Sequence, residues 1–251
     1  MMNCCPSSLR TQRVNIHHPL VFPHLLNIRD LGGYPTQDGM LTRRESLIRA
    51  DELSRLTPEG AQALWEYGVR TVIDLRWPYE VKARPVIFQE ALQHINYVPI
   101  SLLGPDEMPW RLLRPQATKA LWNCVVLDYA KAQICEVMRT IGAVQAGAVL
   151  FFCESGKDRT GLIAALLLAL ADVEPDVIAH DYALTTENLR AAYLAANPNE
   201  IAATLERVRC PPARISNLLA HLAEHYTDAA GYLHDIGLRE SEISLLRGRL
   251  R

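Results

Sequence analysis

A cysteine and an arginine with five residues between them lie in a short polar stretch of this chain. The stretch runs from Cys153 to Arg159 and reads Cys-Glu-Ser-Gly-Lys-Asp-Arg. A cysteine thiolate is a strong nucleophile, and an arginine holds two oxygens of a tetrahedral oxyanion at once. A group that attacks phosphorus needs both close together. The pair therefore predicts cleavage of a phosphate ester through a covalent cysteine intermediate.

The flanking segments predict a strand, a tight loop and a helix. Apolar residues 148–152 precede the cysteine, and apolar residues 162–170 follow the arginine. The start of a helix presents unpaired backbone N–H groups and the positive end of the helix dipole, which bind anions and favour a thiolate. We expect the N–H groups of residues 154–159 to bind phosphate oxygens, with Gly156 allowing the tight turn.

Further residues near this loop are predicted to contact the substrate. The Thr160 hydroxyl is placed to donate a hydrogen bond to the sulfur and to help it leave in a second step. Lys157 adds positive charge at the rim of the loop. The complete set of predicted substrate-binding residues is Glu154, Ser155, Gly156, Lys157, Thr160 and Arg76.

The leaving oxygen needs a proton, and hydrolysis of the intermediate needs a base. Four aspartates are candidates for this acid and base: Asp158 in the loop, Asp74 after a predicted strand, Asp106 in a proline-rich segment and Asp30 before a Gly-Gly pair. We favour Asp158 and Asp74 as catalytic residues and leave the identity of the acid open.

Each of these aspartates also has a structural interpretation. Asp74 has Arg76 or Arg159 as a partner for an ion pair, and Asp158 has Lys157 or a basic group of the substrate. Asp106 is equally consistent with a solvated loop side chain. Asp30 is equally consistent with a cap for the turn at the glycine pair.

Predicted elements supply the frame for these residues. Apolar runs predict strands at residues 47–49, 69–75, 95–100 and 149–152. Helical patterns cover residues 58–68, 121–141, 160–170, 175–184, 191–195, 201–208, 215–226, 229–235 and 240–250. The order predicts an α/β fold with a mostly parallel central sheet flanked by helices and a helix-rich C-terminal half. Ligands bind beyond the carboxyl ends of such strands, where Asp74, Arg76 and Cys153 lie.

The whole chain has 251 residues, of which 49% are hydrophobic and 22% charged. We predict an irregular tail over residues 1–23 and a single domain over residues 24–251, in which residues 102–141 form either a lid insertion or a packed surface segment.

A net charge of −2 gives no reason to expect nucleic acid or a membrane as a partner. The cysteine spacings fit no zinc pattern, so neither metal nor cofactor is predicted. We expect a cytoplasmic protein, and export without a recognisable signal stays open.

The string Cys-Glu-Ser-Gly-Lys-Asp-Arg-Thr-Gly resembles the phosphate loop of protein-tyrosine phosphatases. Its Lys-Asp pair resembles the bacterial atypical dual-specificity branch typified by mycobacterial phosphatase B. The resemblance extends to residues 27–34, to Asp74-Leu75-Arg76 with Glu80, to residues 181–185 and to residues 237–247. It implies a cysteine-phosphatase fold with Cys153 as nucleophile, Arg159 as phosphate clamp and no metal. The implied substrate is a phosphorylated protein, phosphotyrosine first and phosphoserine or phosphothreonine next, or a phosphoinositide, and the product is inorganic phosphate.

The chain departs from the family at one position and leaves two other functions open. Phe152 stands where the family has a histidine, so we expect an active but slower enzyme. Residues 72–76 with Glu80 also resemble a strand of rhodanese-type sulfurtransferases, and a non-catalytic phosphate-binding module is the third possibility. The Lys-Asp-Arg-Thr-Gly string and the helical C-terminal half favour a phosphatase.

Overall fold

The computed structural model describes residues 20–86, 94–105 and 119–251. In these residues five strands form one sheet in the order β1-β2-β5-β3-β4. The strands are β1 (Arg29–Asp30), β2 (Leu47–Ala50), β3 (Val69–Asp74), β4 (Asn96–Pro99) and β5 (Ala148–Phe152). Strand β1 pairs antiparallel with β2, and every other pair is parallel. The predicted mostly parallel α/β sheet is therefore confirmed.

Helices cover both faces of this sheet. They are α1 (Pro58–Glu66), α2 (Pro78–Ala83), α3 (Trp122–Tyr129), α4 (Lys131–Ala143), α5 (Asp158–Leu170), α6 (Pro175–Ala196), α7 (Ile201–Val208), α8 (Ala213–Tyr226), α9 (Ala229–Asp235) and α10 (Glu240–Leu250). The predicted start of α1 is confirmed, since Thr57 accepts a hydrogen bond from the Gly60 N–H at 3.2 Å and Pro58 is the first helical residue.

Strand β5 lies at the centre of the sheet and is buried on both faces. Side chains alternate along a strand, so Val149 and Phe151 pack into the core beneath the C-terminal helices, whereas Leu150 and Phe152 pack into a second core that includes residues of α1. All five residues of β5 are buried. This burial explains the continuous apolar run that identifies the strand in the sequence.

Two helix predictions were wrong in their boundaries. Residues 121–141, predicted as one helix, form α3 and α4, which are separated at Ala130, where φ is −98° and ψ is 23°. The helices predicted at 175–184 and 191–195 are instead one helix, α6. Helix α6 packs against α5, α7 and α8, and these contacts stabilise the intervening polar residues, whose helix propensity is modest.

Some predictions concern residues outside the described part of the chain. These are Asp106, residues 106–118 of the predicted lid, and residues 1–19 of the predicted tail. The described helices include none that is both long enough and apolar enough to cross a bilayer.

Candidate active site

Cys153 lies at the carboxyl end of the central strand, directly after β5, and is only 2% exposed. The adjacent strands end beside it, because Phe152 is in register with Ala50 of β2 and with Asp74 of β3. Helix α5 begins at Asp158, two residues earlier than predicted. Cys153 and the helix N-terminus are thus the two ends of one tight loop, residues 153–157, which we call the phosphate loop.

Gly156 is required by the backbone of the phosphate loop. Its φ is +61°, in the left-handed region that favours glycine. A Cβ atom at this position would lie 2.5 Å from the carbonyl oxygen of Ala50. Any other residue would therefore both strain the turn and collide with the end of β2.

Two buried side chains hold carbonyl oxygens of the phosphate loop. Asn27 donates from Nδ2 to the carbonyls of Ser155 and Gly156 at 3.0 and 3.1 Å, and Arg49 donates from Nη2 to the Gly156 carbonyl at 2.9 Å. The N–H and C=O groups of a peptide unit point in opposite directions. Fixing the carbonyls on one side therefore leaves the loop N–H groups free to face an anion on the other.

Asp181 of α6 anchors this support. Its carboxylate accepts hydrogen bonds from Arg29 Nε at 2.7 Å, from the Tyr34 hydroxyl at 2.8 Å and from Arg49 Nη1. All four side chains are buried. Burial by itself raises the pKa of Asp181, but the charges of Arg29 and Arg49 outweigh burial and lower that pKa well below its usual range. The carboxylate therefore stays charged and fixes both arginines.

Arg159 is held by Glu80 of α2. Its Nη1 and Nη2 donate to the two carboxylate oxygens of Glu80 at 2.6 and 2.9 Å. Burial lowers the pKa of Arg159, but the contact with Glu80 outweighs burial and raises it above the usual range. No described residue accepts a hydrogen bond from Arg159 Nε. The guanidinium is therefore oriented, and one edge is left for a ligand oxygen.

Asp74 and Arg76 are bonded to each other. Asp74 is fully buried and accepts from Arg76 Nε at 2.9 Å, from Arg76 Nη2 at 2.7 Å and from the Tyr97 hydroxyl at 2.7 Å. Arg76 also donates to the Arg84 carbonyl at 2.9 Å and pairs with Glu52 at 3.6 Å. Asp74 therefore forms an ion pair with Arg76, as the structural interpretation of this residue predicted. Arg76, predicted to bind substrate, is engaged within the same buried cluster.

Asp158 is more open than Asp74. Its side chain is 39% exposed and accepts from the Tyr182 hydroxyl at 3.1 Å and from Arg214 Nη1 at 3.4 Å. It does not pair with Lys157, which was one expectation. Lys157 is buried, and its Nζ donates to the Arg207 carbonyl at 2.8 Å. Lys157 thus joins the loop to the C-terminal end of α7, and its predicted place as a positive charge at the rim is wrong.

Three other residues predicted to bind the substrate are Glu154, Ser155 and Thr160. Glu154 accepts from Arg84 Nη2 at 2.8 Å, and the Ser155 hydroxyl lies 3.1 Å from the Tyr193 hydroxyl. The Thr160 hydroxyl is fully buried and has no hydrogen-bond partner among the described residues. A buried hydroxyl without a partner is energetically costly, so Thr160 retains a donor for a group that enters the loop.

Two further sequence predictions concern Asp30 and Phe152. Asp30 accepts hydrogen bonds from the Gly32 N–H at 2.8 Å, the Glu45 N–H at 2.7 Å and the Tyr67 hydroxyl at 2.8 Å. It therefore caps the glycine turn, which was its structural interpretation. The Phe152 ring is fully buried and lies 5.1 Å from the guanidinium carbon of Arg76. The position that carries histidine in the family is thus part of an apolar core here.

Sequence reasoning did not assign roles to several residues that support the site: Asn27, Arg29, Arg49, Glu80 and Asp181. Asn27, Arg29, Glu80 and Asp181 belong to segments that carry the family resemblance. Arg49 had a separate signal, because a charged residue within an otherwise apolar, buried strand requires a buried partner. Among the residues that the structure describes, no group of three His, Cys, Asp or Glu side chains is arranged to hold a metal ion.

Comparisons with known proteins agree with this arrangement. A sequence model described as the tyrosine phosphatase family matches residues 20–251. A tyrosine-protein phosphatase of Nostoc commune is 35% identical over 219 residues, covering 82% of this chain and 74% of that protein. A putative tyrosine-protein phosphatase of Cupriavidus necator is 30% identical, covering 70% of this chain and 66% of that protein. The triple specificity protein phosphatase PtpB of Mycobacterium tuberculosis is 25% identical, covering 91% and 97%.

Proposed function

This chain belongs to the tyrosine phosphatase family and is a protein phosphatase, and we propose that it hydrolyses phosphate monoesters through a phosphocysteine formed on Cys153. The predicted family resemblance is confirmed. The observation that carries the proposed mechanism is the phosphate loop itself. Cys153 begins this loop, Asn27 and Arg49 hold its carbonyls, and the oriented guanidinium of Arg159 follows it in the first turn of α5.

In the first step the Cys153 thiolate attacks phosphorus. An S–P bond forms, the P–O bond of the ester breaks, and the leaving oxygen takes a proton. The loop N–H groups and the free edge of Arg159 bind the non-bridging oxygens, whose charge is spread most widely in the transition state. In the second step water attacks phosphorus, the S–P bond breaks, and inorganic phosphate and the thiolate are released. The Thr160 hydroxyl is available to donate to that thiolate.

We assign both proton transfers to Asp158. Its side chain is 39% exposed, whereas Asp74 and Asp30 are buried and already accept several hydrogen bonds. Asp158 would give a proton to the leaving oxygen in the first step and take one from the attacking water in the second. Asp74 would then act indirectly, by holding Arg76.

The proposed chemistry uses only groups of the protein. The thiolate, the arginine, the loop N–H groups and a carboxylate supply the nucleophile, the charge stabilisation and the proton transfers, so the mechanism needs no metal or other cofactor. Phosphotyrosine in a protein is the proposed substrate, with phosphoserine, phosphothreonine and phosphoinositides as the other candidates. A cytoplasmic location stays a prediction.

A substrate panel with a matched blank tests this function. Peptides carrying phosphotyrosine, phosphoserine or phosphothreonine and a phosphoinositide are compared, with Cys153→Ser as the blank. We expect phosphate release from the phosphotyrosine peptide by the wild-type protein and none by the variant. Rapid denaturation during turnover of a ³²P-labelled peptide should leave label on the wild-type chain alone.

Two other results would replace the proposal. Sulfur transfer from thiosulfate to cyanide without phosphate release would identify a sulfurtransferase. Phosphopeptide binding without any release of phosphate would identify a binding module.

A further inference from the structure

The two oxygens of the Asp158 carboxylate have different surroundings. Oδ1 accepts a hydrogen bond from the Tyr182 hydroxyl at 3.1 Å and another from Arg214 Nη1 at 3.4 Å. In the described part of the chain no residue makes a hydrogen bond to Oδ2. Because the side chain is 39% exposed, Oδ2 is the oxygen left to exchange a proton with a substrate or with water.

Tyr182 reaches Asp158 from α6, the helix that packs against α5. The tyrosine is 1% exposed, and its hydroxyl also accepts a hydrogen bond from Arg214 Nη1 at 3.3 Å. Burial, followed by the negative charge of Asp158, raises the pKa of Tyr182 above its usual range. The hydroxyl therefore keeps its proton and remains a donor to Asp158 throughout the neutral range.

A glycine of α5 makes room for the Tyr182 ring. Gly161 lies three residues after Asp158 and so on the same face of the helix. A Cβ atom at Gly161 would lie 2.8 Å from Cδ2 of Tyr182. Glycine is unfavourable inside a helix, so its presence here needs a reason, and the close approach of the ring supplies one.

Arg214 approaches the same carboxylate from the first turn of α8, and its side chain is 11% exposed. Its Nε is buried and has no acceptor among the described residues. The hydrogen bonds that the described residues offer its guanidinium thus go to Asp158 and Tyr182. The nearby Cys210 thiol adds no charge, because burial raises its pKa.

We propose that Tyr182 and Arg214 are positioning residues, which hold Oδ1 of Asp158 so that Oδ2 alone carries the transferred proton. The inference rests on the function proposed above and on the assignment of both proton transfers to Asp158. A proton on Oδ1 would compete with the two donors, so the protonated carboxyl keeps its proton on Oδ2.

The same orientation then serves both steps of the reaction. In the first step Oδ2 gives its proton to the leaving oxygen as the P–O bond breaks, and the carboxyl becomes a carboxylate. In the second step the same atom takes a proton from the attacking water as the S–P bond breaks. Both donors remain on Oδ1 throughout, so the carboxyl does not need to rotate between the steps.

A purely structural role is the alternative that the test must separate. Tyr182 and Arg214 join α5, α6 and α8, and loss of these contacts could distort the phosphate loop. Activity would then fall to the same degree for every ester, whether or not Asp158 is present. In the proposed role the loss depends on the leaving group and requires Asp158.

The experiment compares kcat/KM, which reports the steps up to P–O cleavage, for two esters. One is a phosphotyrosine peptide, whose leaving phenol has a pKa of about 10. The other is 4-nitrophenyl phosphate, whose more acidic phenol needs less help from a proton. Tyr182→Phe keeps the ring and removes the donor. We expect kcat/KM to fall about fivefold on the peptide and less than about twofold on the nitrophenyl ester, with a change in the same direction for Arg214→Gln.

A double-mutant cycle tests whether Tyr182 acts through Asp158. Asp158→Asn cannot transfer the proton, so adding Tyr182→Phe to it should lower kcat/KM on the peptide by less than about twofold more. Tyr232→Phe is the matched control, because Tyr232 is also buried but donates to the Leu127 carbonyl at 2.8 Å, outside the site. It should leave kcat/KM unchanged on both esters.

A fivefold loss that persists in Asp158→Asn, or an equal loss on both esters, would overturn the inference and leave Tyr182 as a structural support. Wild-type activity in both Tyr182→Phe and Arg214→Gln would overturn it as well. If circular dichroism and thermal unfolding show that Tyr182→Phe is misfolded, Arg214→Gln is taken through the same cycle and decides.

Failure of the proposed function gives a different result. The wild-type protein would then release no phosphate from either ester. Wild-type kcat/KM on the peptide in Asp158→Asn would instead remove the assignment of Asp158, and this inference with it, while the phosphatase activity stands.

Discussion

The two sides of the phosphate loop are built differently. On the carbonyl side, Asn27, Arg49 and Asp181 are all buried. Asn27 and Arg49 donate hydrogen bonds to a carbonyl of the loop, and Asp181 accepts a hydrogen bond from Arg49. At the start of α5, which we call the open side, Asp158 is 39% exposed and makes two longer contacts, at 3.1 and 3.4 Å. The buried side fixes the shape of the loop. The open side keeps a titratable group in contact with water, which proton transfer requires.

Because of burial, substitutions on the two sides also differ in how much they destabilise the fold. Two buried arginines, Arg29 and Arg49, share the single carboxylate of Asp181. Removing one member of such a group leaves charge in the interior without compensation, whereas an exposed ion pair is screened by water and contributes little. Substitutions on the carbonyl side should therefore affect folding, and those on the open side should affect catalysis alone.

The largest effect is expected from Asp181→Asn. The amide keeps the shape of the side chain but removes the charge that both arginines need. We expect the free energy of unfolding, measured by urea denaturation at pH 7, to fall by about 3–5 kcal/mol. Asp235→Asn is the matched control, because Asp235 is exposed and pairs with Lys131 at the surface. Equal stability of the two variants would contradict the role given to the buried network.

The same network predicts a dependence of stability on pH. The pKa of Asp181 is lowered in the folded protein, because the two arginines outweigh the opposing effect of burial. Its contribution to stability is therefore complete above the pKa of an unfolded aspartate, about 3.9, and is lost as the pH falls below that value. The difference in unfolding free energy between wild type and Asp181→Asn should shrink as the pH falls from 5 toward about 2. A constant difference over that range would show that Asp181 is not the responsible charge.

A smaller effect is expected at Glu80, which holds Arg159 in the first turn of α5. Replacement by Gln removes the charge that orients Arg159 through two hydrogen bonds. Charge-assisted bonds of this kind contribute about 1.5–3 kcal/mol, so kcat on a phosphotyrosine peptide should fall about 10- to 100-fold. Glu66→Gln, on the exposed face of α1, should leave kcat unchanged. A wild-type kcat in Glu80→Gln would show that Arg159 needs no support.

The smallest effect on stability is expected from Asp158→Asn. Its contacts are long and partly exposed, so the unfolding free energy should change by less than about 0.5 kcal/mol. Catalysis should respond instead. For a phosphoserine peptide, which has a poor leaving group, the basic limb of the pH–rate profile should flatten. An unchanged profile would show that another aspartate carries out the proton transfers.

The sequence predicts structure that depends on contiguous residues better than structure that depends on contacts between distant residues. The loop, its strand and its helix were predicted because residues 148–170 are contiguous and their apolar pattern is strong. The same reasoning gave separate helices at 175–184 and 191–195, where contacts with neighbouring helices produce the single helix α6. It also placed Lys157 at the rim of the loop, since nothing local indicates that a carbonyl oxygen 50 residues away, at the end of a helix, accepts a hydrogen bond from its ammonium group.

The sequence by itself determined the nucleophile, the clamp and their spacing, because Cys153 and Arg159 lie in one short loop-and-helix segment whose geometry follows from local turn and helix chemistry. The tertiary structure decided which groups hold that loop. Arg159 meets Glu80 from 79 positions away, Asn27 reaches Gly156 across 129 positions, and Arg49 meets Asp181 across 132. A buried charge needs a partner, but only the packing of distant segments selects which one. It is this packing that leaves Asp74 occupied by Arg76 and Asp158 open to water.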